Sequence, residues 1–114
     1  PDEATVLSTS NVTPINSSDN LEITYSGKPA VRAGGGYKKL TLKSRIGDEL
    51  VDVTDSVKWK IGFGGNESKL EHSVQGNIFK IKCKNDYSLI GKTFTVTATT
   101  EYSSKSLIVE VTSL

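Results

Sequence analysis

The fold class is indicated most clearly by the stretch Tyr87-Ser-Leu-Ile-Gly-Lys-Thr-Phe-Thr-Val-Thr-Ala-Thr-Thr100. Its apolar residues Phe94, Val96 and Ala98 occupy every second position, with threonines between them. Because successive side chains of a strand point to opposite faces, this alternation predicts a β-strand with one buried and one solvated face. A second alternating run follows at residues 107–111, after a short polar connection. Two such runs in a chain of 114 residues predict a small two-sheet β-sandwich.

The same alternation continues toward the N-terminus. Further strands are predicted at residues 21–25, 37–46, 51–53, 57–63, 70–74 and 79–83. No segment shows the periodicity of a helix, so we predict an all-β, antiparallel sandwich of about seven strands. The predicted core consists of Leu40, Leu42, Trp59, Ile61, Phe79, Ile81, Phe94, Val96, Val109 and Val111, and Ile46 is expected on the same inward face of its strand as Leu40.

Length and composition favour one domain. Residues 1–20 are polar and predict a linker or N-terminal extension with a candidate edge strand near Thr5 to Ser8, whereas residues 21–114 form the sandwich domain. The formal net charge of +1 gives no overall attraction to nucleic acid, and no segment is long and apolar enough to span a membrane. Since the chain starts at Pro1 without a methionine, we expect a domain of a larger protein, with other domains or subunits as partners.

Four segments carry a family resemblance. They are Ile23-Thr-Tyr-Ser-Gly27, Ala33-Gly-Gly-Gly-Tyr-Lys-Lys-Leu-Thr-Leu42, Val57-Lys-Trp59 and Leu89-Ile-Gly-Lys-Thr-Phe-Thr-Val-Thr-Ala98. In this order they resemble the immunoglobulin-like (Ig-like) segments of tail and minor structural proteins from bacteriophages of Gram-positive bacteria. The last segment is also similar to bacterial Ig-like domains of adhesins. The resemblance implies a spacer or surface-contact module rather than a catalytic one.

Two aromatic residues add to this resemblance. Trp59 stands mid-strand, where Ig-like domains place a core aromatic residue on their third strand, called strand C. Tyr87 precedes the next-to-last strand and loosely resembles the tyrosine corner of such folds. The disulfide of antibody domains is absent because Cys83 is the only cysteine, which favours a bacterial or phage variant.

Enzyme chemistry finds little support in the sequence. Cys83 and His72 are the only cysteine and histidine, and a nucleophile pair would need both on neighbouring strands, facing one pocket. We therefore expect a buried, unreactive Cys83 and no catalytic residue. Several carboxylates crowd one connection and could suggest a calcium site, but their spacing matches no EF-hand loop and predicts solvated turn residues. These are Asp48, Glu49, Asp52 and Asp55. No metal and no cofactor are predicted.

The glycine run Gly34-Gly35-Gly36 with Lys38 could suggest a phosphate-binding loop. Such a loop needs a following helix whose N-terminus faces the phosphate, together with a Gly-Lys-Ser/Thr sequence. Neither is present, so the run predicts a connection with unusual backbone angles.

Lysines supply the candidate binding site. If the predicted strands at residues 37–46 and 79–83 pair as strands B and E do in Ig-like folds, their outward residues form one basic face, made of Lys39, Lys43, Lys80, Lys82 and Lys84. Such a face could meet an anionic cell-wall polymer such as teichoic acid, with binding that weakens in salt. The alternative is that these lysines only keep the surface soluble and prevent edge pairing. The face lacks interleaved aromatic residues, which argues against single-stranded nucleic acid.

Carbohydrate binding usually requires exposed aromatic rings. Tyr37, beside the glycine run, and Tyr102, in the last turn, are the candidate sugar contacts. The function predicted first is a non-enzymatic structural or accessory module of a phage virion, in a tail or baseplate protein. It would act as a spacer or as a weak contact with the host surface. The alternatives are a domain of a bacterial surface adhesin, or an accessory carbohydrate-binding module of a cell-wall hydrolase.

Overall fold

The computed structural model describes residues 20–113, which form nine strands in two packed sheets. The strands are β1 (Leu21–Thr24), β2 (Ala30–Arg32), β3 (Lys38–Ile46), β4 (Glu49–Asp52), β5 (Lys58–Gly62), β6 (Leu70–Gln75), β7 (Ile78–Cys83), β8 (Thr93–Thr99) and β9 (Ser104–Thr112). Two short 3-10 turns lie between the strands, at Glu67–Lys69 and Tyr87–Leu89. The all-β prediction is confirmed.

The first sheet has the strand order β1-β3-β7-β6, and β4 forms a hairpin with the C-terminal half of β3. The second sheet has the order β2-β9-β8-β5. All neighbours are antiparallel except β2 and β9, which run parallel with Val31 beside Val111. β5 and β6 are therefore outer strands on the same side of the two sheets.

The core lies between the sheets, where the alternating apolar residues of the sequence meet. Eight of the ten predicted core residues are buried: Leu40, Leu42, Phe79, Ile81, Phe94, Val96, Val109 and Val111. The other two, Trp59 and Ile61, are half-buried and pack against this core. They are less covered than predicted because β5 is an edge strand. Removing large apolar side chains from water contributes about 1.5–3 kcal/mol each, so this layer supplies most of the stability.

Two predictions about individual residues were wrong. Ile46 is 50% exposed, because it stands near the turn of the β3–β4 hairpin, where its side chain lines an open groove instead of the core. Tyr87 is 66% exposed and forms no tyrosine corner. The 3-10 turn buries Leu89 in its place, at 2% exposure.

The strand β2 was not predicted. The sequence Ser26-Gly27-Lys28-Pro29 indicates a turn, and three residues are too few to show a period of two. β2 is held by its parallel neighbour: the amide of Glu110 donates to the carbonyl of Pro29, and the amide of Ala33 donates to that of Thr112. These partners lie far away in sequence, so local pattern could not reveal them.

The candidate edge strand near Thr5 to Ser8 and the linker assigned to residues 1–20 lie almost entirely outside the described residues. Over residues 20–113, no helix has the length and apolar character needed to cross a bilayer.

Candidate functional site

The outward surface of the first sheet carries the lysines of the predicted basic face. Lys39 on β3 stands directly opposite Lys80 on β7. Lys43 lies four residues after Lys39 on β3, and Lys82 lies two residues after Lys80 on β7, in the opposite direction because the strands are antiparallel. Lys84 is exposed just beyond the end of β7. The antiparallel pairing of β3 with β7 thus places these side chains on one side of the molecule.

Carboxylates neutralise part of this face. Lys43 Nζ lies 3.7 Å from Asp52 Oδ1 on β4. Lys82 Nζ lies 3.7 Å from Glu71 Oε1 on β6, directly across the strand pair. The neighbouring Arg45 forms a closer pair, with Nε 2.7 Å from Glu22 Oε2 on β1. The last contact lowers the pKa of Glu22 through the hydrogen bond from Arg45.

Lys39 and Lys80 differ from these cations. No carboxylate of residues 20–113 forms an ion pair with either. Like charges directly opposite each other on neighbouring strands destabilise a sheet. Lys84 likewise forms no ion pair within this range, so the uncompensated positive charge of the face is carried by Lys39, Lys80 and Lys84, of which the first two stand directly opposite each other.

The two candidate sugar contacts lie far apart. Tyr37 is 50% exposed beside the start of β3, and Lys82 Nζ lies 4.9 Å from the centre of its ring. Tyr102 is 59% exposed in the turn between β8 and β9. Because β3 starts at one end of the sandwich and the β8–β9 turn lies at the other, the rings form no common platform.

The glycine connection between β2 and β3 offers no phosphate cradle. The amide of Gly34 donates to the carbonyl of Cys83 at 3.0 Å, and that of Gly35 donates to Arg32 at 2.8 Å. Gly34 has φ = 77°, and a Cβ at this position would lie 3.1 Å from Asn85 Oδ1. Gly34 thus has the unusual backbone angle that the sequence predicted, and Gly35 is packed closely, since a Cβ there would lie 2.9 Å from Arg32 Cβ.

Cys83 and His72 do share a sheet and a face. His72 on β6 stands opposite Ile81, and Cys83 is the diagonal neighbour on β7. The imidazole, however, stacks on Phe79, with 5.5 Å between the ring centres, on the other side of Ile81 from Cys83. Cys83 is 1% exposed, as predicted. Burial raises the pKa of its thiol, and the charge of Asp86 raises it further, so the nucleophilic thiolate is disfavoured.

The carboxylates of the β3–β5 region do not converge on one point. In the part of the chain that the structure describes, no group of three or more Asp, Glu, His or Cys side chains is arranged to hold a metal ion. Asp52 instead faces Lys43, while Asp55 and Glu101 line an open groove at the end of the sandwich.

Sequence reasoning missed the partners of the lysines. Lys43 meets Asp52, and Lys82 meets both Glu71 and Tyr37, only because of the register of β4, β6 and β7. The alternation of charges along each strand identified the outward face. It contained no signal for which residue of another strand lies opposite.

Comparison with known proteins supports the fold. A solved structure of titin domain M4, in a trigonal crystal form, superimposes with a TM-score of 0.50 and 17% sequence identity, covering 82% of this chain and 95% of that chain. No protein-family model matches the sequence, and no curated protein matches it significantly. M4 is an Ig-like β-sandwich domain. With the two sheets described above, this similarity shows that the chain folds as an Ig-like two-sheet β-sandwich.

Proposed function

We propose that this protein is a non-enzymatic structural or accessory Ig-like module of a phage virion, in a tail or baseplate protein. It would act as a spacer and as a weak contact with the host surface. The observation that carries the proposal is the Ig-like sandwich itself, a fold class typical of modules without catalysis. The burial of Cys83 and the stacking of His72 on Phe79 also support a module without catalysis. The phage assignment rests on the four sequence segments quoted above.

The surface contact would involve the Lys39–Lys80 pair. Two ammonium groups without carboxylate partners stand side by side here and favour an anionic ligand. A polymer with repeated phosphates fits, because one of its phosphates can lie between the two ammonium groups. Teichoic acid of Gram-positive cell walls has this chemistry. Binding through exposed lysines is screened by salt, because the Debye length shrinks to about 8 Å at physiological ionic strength.

The experiment is a binding assay with purified Gram-positive cell walls, with and without teichoic acid, over a salt series. We expect binding that requires the polymer, weakens steeply with salt and is lost in a Lys39→Gln/Lys80→Gln variant. The matched control is Lys58→Gln/Lys60→Gln, which removes two lysines from the outward face of the second sheet, where they face Thr99 and Thr97. Equal loss in both variants, or no binding at low salt, would eliminate the surface-contact role and leave a spacer.

The parent protein can be tested separately. A gene located among tail and baseplate genes would support the virion role, whereas a neighbourhood of wall-anchored repeat domains would replace it with a bacterial adhesin.

Catalysis is tested with esterase and peptidase substrates. Turnover that disappears on Cys83→Ser or His72→Ala would overturn the non-enzymatic assignment.

A further inference from the structure

An open groove crosses one end of the sandwich. The β3–β4 hairpin and the residues after β4 form one wall, and the β8–β9 turn forms the other. The groove consists of two cavities of about 280 and 420 Å³, and both are lined by Asp55 and Thr100. Because they share these residues, the two cavities are adjacent.

Apolar side chains that the core does not cover lie along this groove. Ile46 is 50% exposed and Val51 42% exposed in the first cavity, beside Leu21 and Val53. Tyr102, 59% exposed, lies in the second. Single exposed apolar residues are ordinary on protein surfaces, but several along one depression mark an interaction site.

The rim of the groove is acidic. Asp55 and Glu101 line it, and the adjacent hairpin turn carries Asp48 and Glu49. Asp52 also lines it but is paired with Lys43. Lys58 is the one cation among the lining residues. The pKa of the Tyr102 hydroxyl is raised, first by its hydrogen bond to Glu101, then by the charge of Glu101, and further by desolvation and by the charge of Asp55.

One polar atom in the wall lacks a partner. Ser103 lines the first cavity, and its Oγ is buried without a hydrogen bond to any group in the described part of the chain. Buried hydroxyls are normally bonded, so this unsatisfied one is an unusual feature of the groove wall, although the oxygen itself is closed to direct contact with a ligand.

We propose that this groove binds a cationic peptide segment of a partner protein. An aliphatic side chain of the segment packs against Ile46 and Val51, and a lysine or arginine lies beside Asp55 and Glu101. Charge complementarity selects the occupant, because an apolar floor with a negative rim matches alternating aliphatic and basic residues. The site is independent of the proposed function, which involves the outward face of β3 and β7.

The test uses the full chain and a fluorescent peptide of alternating lysine and leucine, titrated at low salt. Two comparison peptides replace leucine by serine or lysine by glutamate. We expect the lysine–leucine peptide to bind most tightly and to shift backbone NMR signals around Val51 and Tyr102. An Asp55→Asn/Glu101→Gln variant should weaken binding about tenfold, since each exposed charge pair contributes only modestly.

Matched substitutions locate the contact. Val51→Ser should weaken binding, whereas Ile108→Ser, at a site 64% exposed on β9, should not. Glu110→Gln is the corresponding charge control. Unchanged affinity in the groove variants, or NMR shifts confined to the surroundings of Lys39 and Lys80, would overturn the proposal. So would sedimentation showing self-association that these variants abolish, because the occupant would then be a second copy.

Discussion

The indole Nε1–H of Trp59 donates a hydrogen bond of 3.0 Å to the carbonyl oxygen of Gly76. Trp59 lies on β5, the edge of the second sheet, and Gly76 lies in the turn between β6 and β7 of the first. The indole also stacks on Phe79, with ring centres 5.0 Å apart and planes inclined by 13°. Trp59 therefore joins the two sheets along their open side.

Truncating this side chain should destabilise the domain strongly. Trp59→Ala removes the stack on Phe79 and the bond to Gly76, and we expect a loss of about 3 kcal/mol, near the lower limit for buried aromatic residues because the ring is half-buried. Trp59→Phe keeps a stacked ring and should cost about 1 kcal/mol for the lost hydrogen bond. Urea denaturation measures both, with Tyr87→Ala as the exposed control. A near-native midpoint for Trp59→Ala would show that it does not join the sheets.

The glycine connection should respond differently at adjacent positions. Gly34→Ala places a Cβ 3.1 Å from Asn85 at φ = 77°, and Gly35→Ala places one 2.9 Å from Arg32 Cβ. Each should cost about 1–2 kcal/mol, since backbone or neighbours must move. Gly36→Ala meets nothing within 4 Å and is the control, with an expected change of less than about 0.5 kcal/mol. Equal melting temperatures for the three variants would contradict this assignment.

Stability should fall at acid pH because three carboxylates have lowered pKa values. Glu67 accepts from the amide of Phe63 at 2.7 Å, Asp86 accepts from Ser88, and Glu22 accepts from Arg45. These bonds lower their pKa below the ordinary values of 4.5 for Glu and 3.8 for Asp. The stabilisation is thus complete above about pH 4.5, where these carboxylates are ionised in the unfolded chain as well. It is lost as the pH falls through the lower pKa values that they have in the folded protein.

Thermal melts from pH 7 to pH 2 check this dependence. Glu67→Gln keeps an acceptor for Phe63 but cannot titrate, so the acid slope should become shallower than in the parent protein. Glu110→Gln, at an exposed site on β9, is the control. A variant with the full acid slope would show that Glu67 contributes nothing to it.

Cys83 should be protected from thiol reagents in the folded protein. It is 1% exposed, and burial raises its pKa, so both access and thiolate population are low. With a chromogenic disulfide reagent at pH 8, we expect labelling at the rate of unfolding and immediate labelling in denaturant. Labelling at the rate of a free thiol in native buffer would place Cys83 at the surface.

The Lys39–Lys80 repulsion predicts a stabilising substitution. Lys39→Glu places opposite charges across the strand pair, which should stabilise by about 0.2–1 kcal/mol at low salt. The gain should shrink at high salt because the site is exposed. Lys58→Glu is the control, since its partner is Thr99. Urea midpoints at two salt concentrations distinguish the pairwise effect from a general change in net charge.

Much of the fold was predictable from local pattern. The threonine alternation around Phe94 and Val96 specified a strand with one buried face, and the same logic located most of the core. The pattern was less successful at Ile46 and Trp59. Alternation identifies the inward face of a strand, but whether that face is covered depends on the length and position of the opposite sheet.

The sequence by itself determined most of the strands, which of their faces are apolar and which carry lysine, because side-chain direction in a strand follows from position alone. Only the tertiary structure decided the register that pairs Lys39 with Lys80 and Lys82 with Glu71. It also decided the parallel contact of β2 with β9 and the groove beside Asp55. These features join residues distant in sequence, and their positions depend on packing of the whole chain rather than on any local preference.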